Sequence, residues 1–202
     1  MSRFRIFAAL PLLAVLAAPA ASQPDPPNRD TPQTPEPVAT TSKLRTFLEQ
    51  IDRVLVTRQR SLAPIAIEAG GTLTVSGIGA FEPGLESQRL LGLRIDLDAP
   101  GLEPEERVAY LDLHEVEALL RGMANLALVA AEEGGGLETE ARILTLEGFG
   151  LGVWMHQGTT RYQIRGGAEG HIVGHVSREN FTKLKKQIET ARDLLFNGAP
   201  TQ

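Results

Sequence analysis

The sequence predicts an α+β fold in which two ββββα units pack their antiparallel sheets and helices into one domain. Two similar segments, 110–120 and 175–185, lead to this prediction. Each reads as the end of a strand that runs directly into a helix, with Asp112 and Ser177 as N-cap residues that accept a first-turn amide. Apolar residues follow the same spacing in both segments. Because a unit of about 70 residues buries its sheet and helix poorly by itself, we expect the two units to share one core.

The first 22 residues have the pattern of a secretory signal peptide. Arg3 and Arg5 form a basic start, and residues 6–16 are apolar. Ala18-Pro19-Ala20 is a small-x-small cleavage site, and Ala20-Ala21-Ser22 is the alternative. The apolar stretch is too short to span a bilayer, which needs about 20 residues. We therefore expect an exported protein, periplasmic or secreted, with no membrane span after signal cleavage.

The amino-acid composition excludes cysteine chemistry and disfavours two classes of binding partner. The chain has no cysteine, which excludes disulfides, thiolate catalysis and a lipid-anchored cysteine. Its formal net charge is −5, and removal of the two signal arginines makes it −7. An acidic chain is disfavoured as a binder of nucleic acid or anionic lipid, since both require a basic face.

Residues 23–40 are predicted to form a disordered, proline-rich linker. The segment contains six prolines and no Phe, Tyr or Leu. Such a composition buries too little apolar area to offset the entropy of ordering the chain.

Residues 41–60 are predicted to hold an amphipathic helix that runs from Ser42 to about Arg58. Its apolar stripe follows the i, i+3, i+4, i+7 spacing of a helix and consists of Leu44, Phe47, Leu48, Ile51 and Leu55. This apolar stripe must be buried, either against the domain that follows or against a second copy of the helix in a dimer. The sequence leaves the oligomeric state undetermined.

Residues 63–202 are predicted to form the globular domain. The first unit is expected to hold strands at 65–67, 72–80, 89–98 and 107–111, and a helix at 113–131. The second is expected to hold strands at 137–146, 149–156, 161–165 and 172–176, and a helix at 178–196. The clearest strand is 89–98, where leucine and isoleucine alternate with polar residues and glycine.

The two long helices are predicted to differ in burial. Residues 126–131 of the first helix are apolar on nearly all sides, which is typical of a helix that is buried on most of its surface. The last helix carries one apolar stripe. On this basis Leu119→Ala is expected to destabilise the protein more than Leu184→Ala.

The order of elements over 63–197 resembles the tandem ββββα architecture of the Whirly and PUR-repeat single-strand nucleic-acid binders. The lysine-rich Whirly motif and the basic and aromatic strands of the PUR repeat do not occur in this sequence. The segment Tyr110-Leu111-Asp112-x-x-Glu115-Val116, followed by an apolar helix, is also similar to uncharacterised exported bacterial proteins. The first resemblance implies single-strand nucleic-acid binding, and the second implies no activity.

No recognised catalytic, cofactor or metal motif occurs. The glycine series 148–152 lacks the third glycine of a dinucleotide-binding loop and no helix is predicted to follow it. His171 and His175 are predicted on a strand, where four residues span about 13 Å, too far for one metal ion. The acidic pairs at 96 and 98 and at 138 and 140 are interpreted as solvated strand faces. We therefore assign no catalytic residue, no metal ligand and no cofactor.

The strongest candidate for a functional site is the outward face of the second predicted sheet. Gly150 and Gly152 are expected to leave its backbone open to close approach. Aromatic and arginine side chains are enriched where proteins bind partners. The expected binding residues are Trp154, His156, Arg161, Gln163, Arg165, His171 and His175. Two other interpretations are a solvated polar face and a Trp154 covered by the helix of residues 42–58.

These observations favour an exported, non-enzymatic binding or structural module of the bacterial envelope. It is expected to bind a protein or an envelope polymer through the second sheet. A secreted hydrolase with an unrecognised site and a single-strand nucleic-acid binder are the alternatives.

Overall fold

The computed structural model describes residues 41–68, 70–131, 137–167 and 169–197. The predicted signal peptide, 1–22, and the predicted linker, 23–40, lie outside the described residues.

The described chain is a mixed α+β protein with two antiparallel sheets, which confirms the predicted fold class. The helices are α1 (Lys43–Leu48), α2 (Leu113–Val129) and α3 (Arg178–Asn197). The strands are β1 (Val56–Ser61), β2 (Ile65–Ala66), β3 (Thr72–Phe81), β4 (Leu90–Asp98), β5 (Val108–Asp112), β6 (Thr139–Leu144), β7 (Gly150–His156), β8 (Thr159–Gly166) and β9 (His171–Val176). The first sheet has the strand order β1-β3-β4-β5, with β2 also paired to β3, and the second has the order β6-β7-β8-β9.

The predicted helix from Ser42 to Arg58 is wrong beyond its first turns. Helix α1 ends at Leu48, and β1 begins at Val56 and pairs antiparallel with the end of β3. Between them Asp52 takes a φ of 65°, which is incompatible with a continuing right-handed helix. The side chain of Ile51, expected in the apolar stripe, is 83% exposed. Pairing with β3 therefore decides the state of a segment whose apolar spacing also fits a helix.

Helix α1 packs on the first sheet. Leu44 is fully buried against Ile78 and Ala80 on the face of the sheet that points away from α2 and α3. The carboxylate of Asp112 accepts the backbone amides of Lys43 and Leu44 at 2.9 and 3.0 Å. A side chain of the first sheet thus satisfies orphan donors at the start of α1.

The two strand-to-helix junctions have the predicted caps. The carboxylate of Glu115 accepts the amide of Asp112 at 3.0 Å at the start of α2. The hydroxyl of Ser177 accepts the amide of Asn180 at 3.1 Å at the start of α3. These bonds satisfy donors that a helix leaves unpaired in its first turn, so both helices begin where the sequence places them.

Helix α2 is not buried on most sides. Its buried apolar residues form one stripe, Val116, Leu119, Leu120, Met123 and Leu126. Leu128 is 67% exposed and Ala127 is exposed as well. The expectation from the apolar sequence of residues 126–131 is therefore wrong, because only one side of α2 contacts the sheets and α3.

One cluster of buried apolar side chains takes members from both sheets and both long helices. Leu93 and Ile95 of β4 and Leu151 of β7 are fully buried, as are Leu119 of α2 and Ile188 of α3. The inner faces of the sheets and the two helices thus share one core, and the outer face of the second sheet is directed away from it.

Candidate functional site

Strand register places the side chains of the second sheet on two faces. On β7, Leu151 and Val153 are fully buried toward the core, so Gly152 and Trp154 lie on the outer face. Trp154 is opposite Arg161 of β8 and opposite Glu140 of β6. The alternation that the sequence predicted for β7 and β8 is therefore present.

The outer face contains a shallow depression of about 330 Å³. It lies across all four strands of the sheet or their immediate ends. Aromatic, aliphatic, basic, amide and acidic side chains all line it. They are Trp154, Ile172, Arg161, His175, Gln163, Glu138 and Glu140. Four of the seven predicted binding residues line it.

The indole of Trp154 is held at the centre of this face. Its Nε1 donates a hydrogen bond to Oε1 of Glu138 at 2.8 Å. The guanidinium carbon of Arg161 lies 5.7 Å from the ring centroid, within the range of a cation–π contact. The ring of His156 lies beside it, with centroids 5.7 Å apart. Since α1 packs on the first sheet, the interpretation that this N-terminal helix covers Trp154 is wrong.

Arg165 and Gln163 lie on the outer face but are only 5% and 4% exposed. The guanidinium of Arg165 donates to Oε1 of Gln163 at 2.9 Å and to the carbonyl of Gly170 at 3.1 Å, and it pairs with the carboxylate of Glu140. Arg165 is therefore a buried cross-link between β6, β8 and the turn that follows β8, and its charge is already matched within the protein.

The glycines of β7 are not open to a partner, contrary to expectation. A Cβ atom at Gly152 would lie 2.8 Å from Oε1 of Gln163 and 3.4 Å from Nε of Arg165. A Cβ at Gly150 would lie 2.3 Å from the side chain of Leu144. The missing side chains make room for Arg165 and Gln163 to lie flat on the sheet.

An irregularity in β9 changes which of its residues reach the outer face. Gln163 is opposite His175, and Arg165 is opposite Ile172, so Val173 is the extra residue of a β-bulge. Ile172 thereby joins the outer face at 47% exposure. His171 is opposite Gly166, on the other face of the sheet end, where its Nε2 lies 3.3 Å from Oε2 of Glu169. The predicted grouping of His171 with His175 is therefore wrong.

The acidic pairs considered for chemistry are engaged in other contacts. Asp96 accepts three contacts from Arg94, between 2.6 and 3.1 Å, and these hydrogen bonds raise the pKa of the Arg94 guanidinium above its ordinary value. Glu138 binds Trp154, and Glu140 binds Arg165. In residues 41–197, apart from the undescribed positions, no three His, Asp or Glu side chains are grouped as metal ligands.

Comparisons with protein-family models, curated proteins and solved structures gave no match. None of the described helices has the length and apolar character needed to cross a bilayer.

Proposed function

We propose that this chain is an exported, non-enzymatic binding module of the bacterial envelope whose partner is a protein or an envelope polymer. The observation that carries the proposal is the oriented indole of Trp154 in a depression shared with Arg161 and Ile172. Trp and Arg are the residue types that most often supply a large part of binding energy, and a concave setting excludes water from them.

The geometry favours binding over hydrolysis. A hydrolytic site requires a carboxylate or imidazole held beside the reacting bond with a pKa suited to proton transfer. Glu138 and Glu140, the two carboxylates of the depression, accept hydrogen bonds from Trp154 and Arg165. These contacts give both acids a structural role. No observation at these two carboxylates therefore favours the alternative that the protein is a secreted hydrolase.

The charge of the face disfavours nucleic acid. Arg161 is the exposed arginine of the depression, and two carboxylates line the same surface. A phosphate backbone requires several cations without nearby acids, because its affinity depends on neutralising successive phosphates. A protein surface or an uncharged polymer satisfies the mixed lining better.

A photo-cross-linking experiment tests the proposal in cells that produce the protein. A photoreactive phenylalanine analogue at Ile172 is expected to capture a defined partner. The same analogue at Leu128, which is also an exposed apolar residue but lies on α2, is expected to capture none. The proposal is rejected if both positions give the same products, or if neither gives any product that Trp154→Ala abolishes.

Replacing Arg161 by alanine is expected to weaken the binding of the captured partner by about fivefold or more, since it removes a side chain that contacts the half-buried indole of Trp154. Arg142→Ala is the matched control, because Arg142 is exposed on the same face, opposite Gly152, and does not line the depression. Dissociation constants from biolayer interferometry check the difference. Equal losses for the two variants would show that the whole face acts through charge only.

A further inference from the structure

A second cleft, of about 320 Å³, lies on the inner face of the first sheet beside the end of α3. Its floor is formed by Gly79, Phe81 and Leu91, and Leu194 and Leu195 of α3 form one wall. The lower limit of small-molecule sites is about 300 Å³, so the cleft is large enough for a small organic ligand.

The cleft exists because α3 covers only part of this sheet face. At Gly77 the helix is close, since a Cβ atom there would lie 3.1 Å from the carbonyl oxygen of Ala191 and 3.4 Å from Cδ2 of Leu195. At Gly79, two residues further along β3, a Cβ would have only Leu91 Cδ2, at 3.2 Å, and Leu90 O, at 4.0 Å, as neighbours. The absent side chain at Gly79 therefore leaves space that α3 does not fill.

Three arginines surround this apolar floor. Arg58 and Arg60 of β1 are opposite Gly79 and Gly77, so they lie on the same sheet face as the cleft. Arg89, which directly precedes β4, lines it from the other side. The guanidinium carbon of Arg58 lies 5.4 Å from the ring centroid of Phe81.

The positive charge of the cleft is not matched by the described part of the protein. None of the three arginines forms an ion pair with a described carboxylate, whereas six other arginines do. The pKa of the nearby Glu86 carboxyl is lowered mainly by hydrogen bonds from its own backbone and that of Gly84, and least by the charge of Arg58. Three unmatched cations in a chain of net charge −5 point to an anionic ligand.

We infer that this cleft binds an amphipathic carboxylate, with its acidic group between the arginines and a short aliphatic body on the floor. The planar guanidinium group suits a carboxylate, with which it forms paired hydrogen bonds. Phe81, Leu91 and Leu195 offer apolar surface to the body of the ligand. The site is separate from the outer face of the second sheet, so it stands whether or not that face binds a partner.

Titration of the isotopically labelled protein with octanoate, followed by two-dimensional NMR, tests the inference. Octanoate is expected to shift the amide signals of Gly77 and Gly79 and the methyl signals of Leu195, and to leave the indole signal of Trp154 unchanged. Acetate carries the charge without the apolar body, and octan-1-ol carries the body without the charge, so both are expected to bind at least about tenfold more weakly. Equal binding of either control, or the absence of octanoate shifts at these residues, would overturn the inference.

Variants separate the contributions of charge and space. Arg60→Gln keeps most of the side-chain length and is expected to weaken octanoate binding by about threefold to tenfold. Arg121→Gln is the matched control, because Arg121 is exposed on α2, away from the cleft, and its loss is expected to leave binding unchanged. Gly79→Leu is expected to abolish binding by filling the floor, and Arg89→Gln gives the second test if that variant does not fold. If octanoate binds only after residues 198–202 are removed, the occupant is the end of the chain itself and the inference is wrong.

Discussion

Glu147→Ala is expected to lower the free energy of unfolding by about 3–5 kcal/mol, the range for removing one partner of a buried charged network. Glu147 lies between β6 and β7, and its side chain is only 5% exposed. Its Oε1 accepts the amide and hydroxyl of Ser42 at 3.1 and 2.7 Å. Its Oε2 accepts Nε of Arg45 at 2.9 Å and the amide of Tyr110 at 2.8 Å. Alanine leaves all four donors without this acceptor, and unpaired buried donors are costly.

The charge of Arg45 makes the loss larger. Burial, the largest single effect, acts to lower the pKa of Arg45, but the hydrogen bond and charge of Glu147, together with Glu49 and Tyr110, raise that pKa above its ordinary value. Because an arginine side chain is not deprotonated in proteins, the guanidinium stays charged in the variant, in a partly buried position without its principal partner. Of the described carboxylates that pair with Arg45, Glu49 is left, in an exposed contact of 3.6 Å.

Urea unfolding of two variants measures the effect. Glu117→Ala is the matched control, because Glu117 pairs with Arg192 at 3.2 Å but is half exposed, and such surface pairs contribute about 0–1 kcal/mol. A loss for Glu147→Ala no larger than that for Glu117→Ala would contradict the proposed role of the network. It would mean that water replaces the carboxylate at no cost.

The network around Glu147 could not be predicted from the sequence. Its members come from α1, β5 and the β6–β7 turn, and Ser42 and Glu147 are 105 residues apart. The cap at Asp112 was predicted, because a cap depends on residues within one helical turn. Asp112 also accepts two backbone amides at the start of α1. This contact depends on tertiary packing, so no local sequence pattern predicts it.

The same distinction separates the correct and incorrect parts of the predicted fold. The alternation of residues 89–98 is strictly local, and β4 is observed at Leu90–Asp98. The segment after Leu48 has apolar residues that fit a helix, but Val56 pairs with Phe81 in the first sheet. Pairing with β3, 25 residues later in the chain, therefore overrides the helical spacing of this segment, as tertiary contacts commonly do.

In the candidate site, the face of the sheet on which most side chains lie could be predicted from the sequence. How deeply each side chain is buried could not. The positions of Trp154 and Arg161 on one face follow from alternation. The burial of Arg165 follows from its contacts with Glu140 and with the turn at Gly170, which no spacing encodes. The β-bulge at Val173 exchanged His171 for Ile172 on the outer face. The adjacent Gly174 is the sequence signal that could have indicated it, because a glycine inside a strand often marks a bulge.

Leu184→Ala is expected to lower the free energy of unfolding by about 2–5 kcal/mol, and Leu119→Ala by a similar amount, because both changes create a cavity in a closed core. The sequence predicted a larger effect at Leu119, from a helix buried on most sides. The structure removes that reason, since Leu119 and Leu184 are 0% and 1% exposed and α2 and α3 each bury one stripe in the same cluster. Leu128→Ala, on the exposed side of α2, is the control and is expected to change stability by less than about 0.5 kcal/mol. Urea midpoints at unchanged slope check all three variants. A loss at Leu119 that exceeds the loss at Leu184 by more than about 2 kcal/mol would show that the α2 side of the core relaxes less around a cavity than the α3 side.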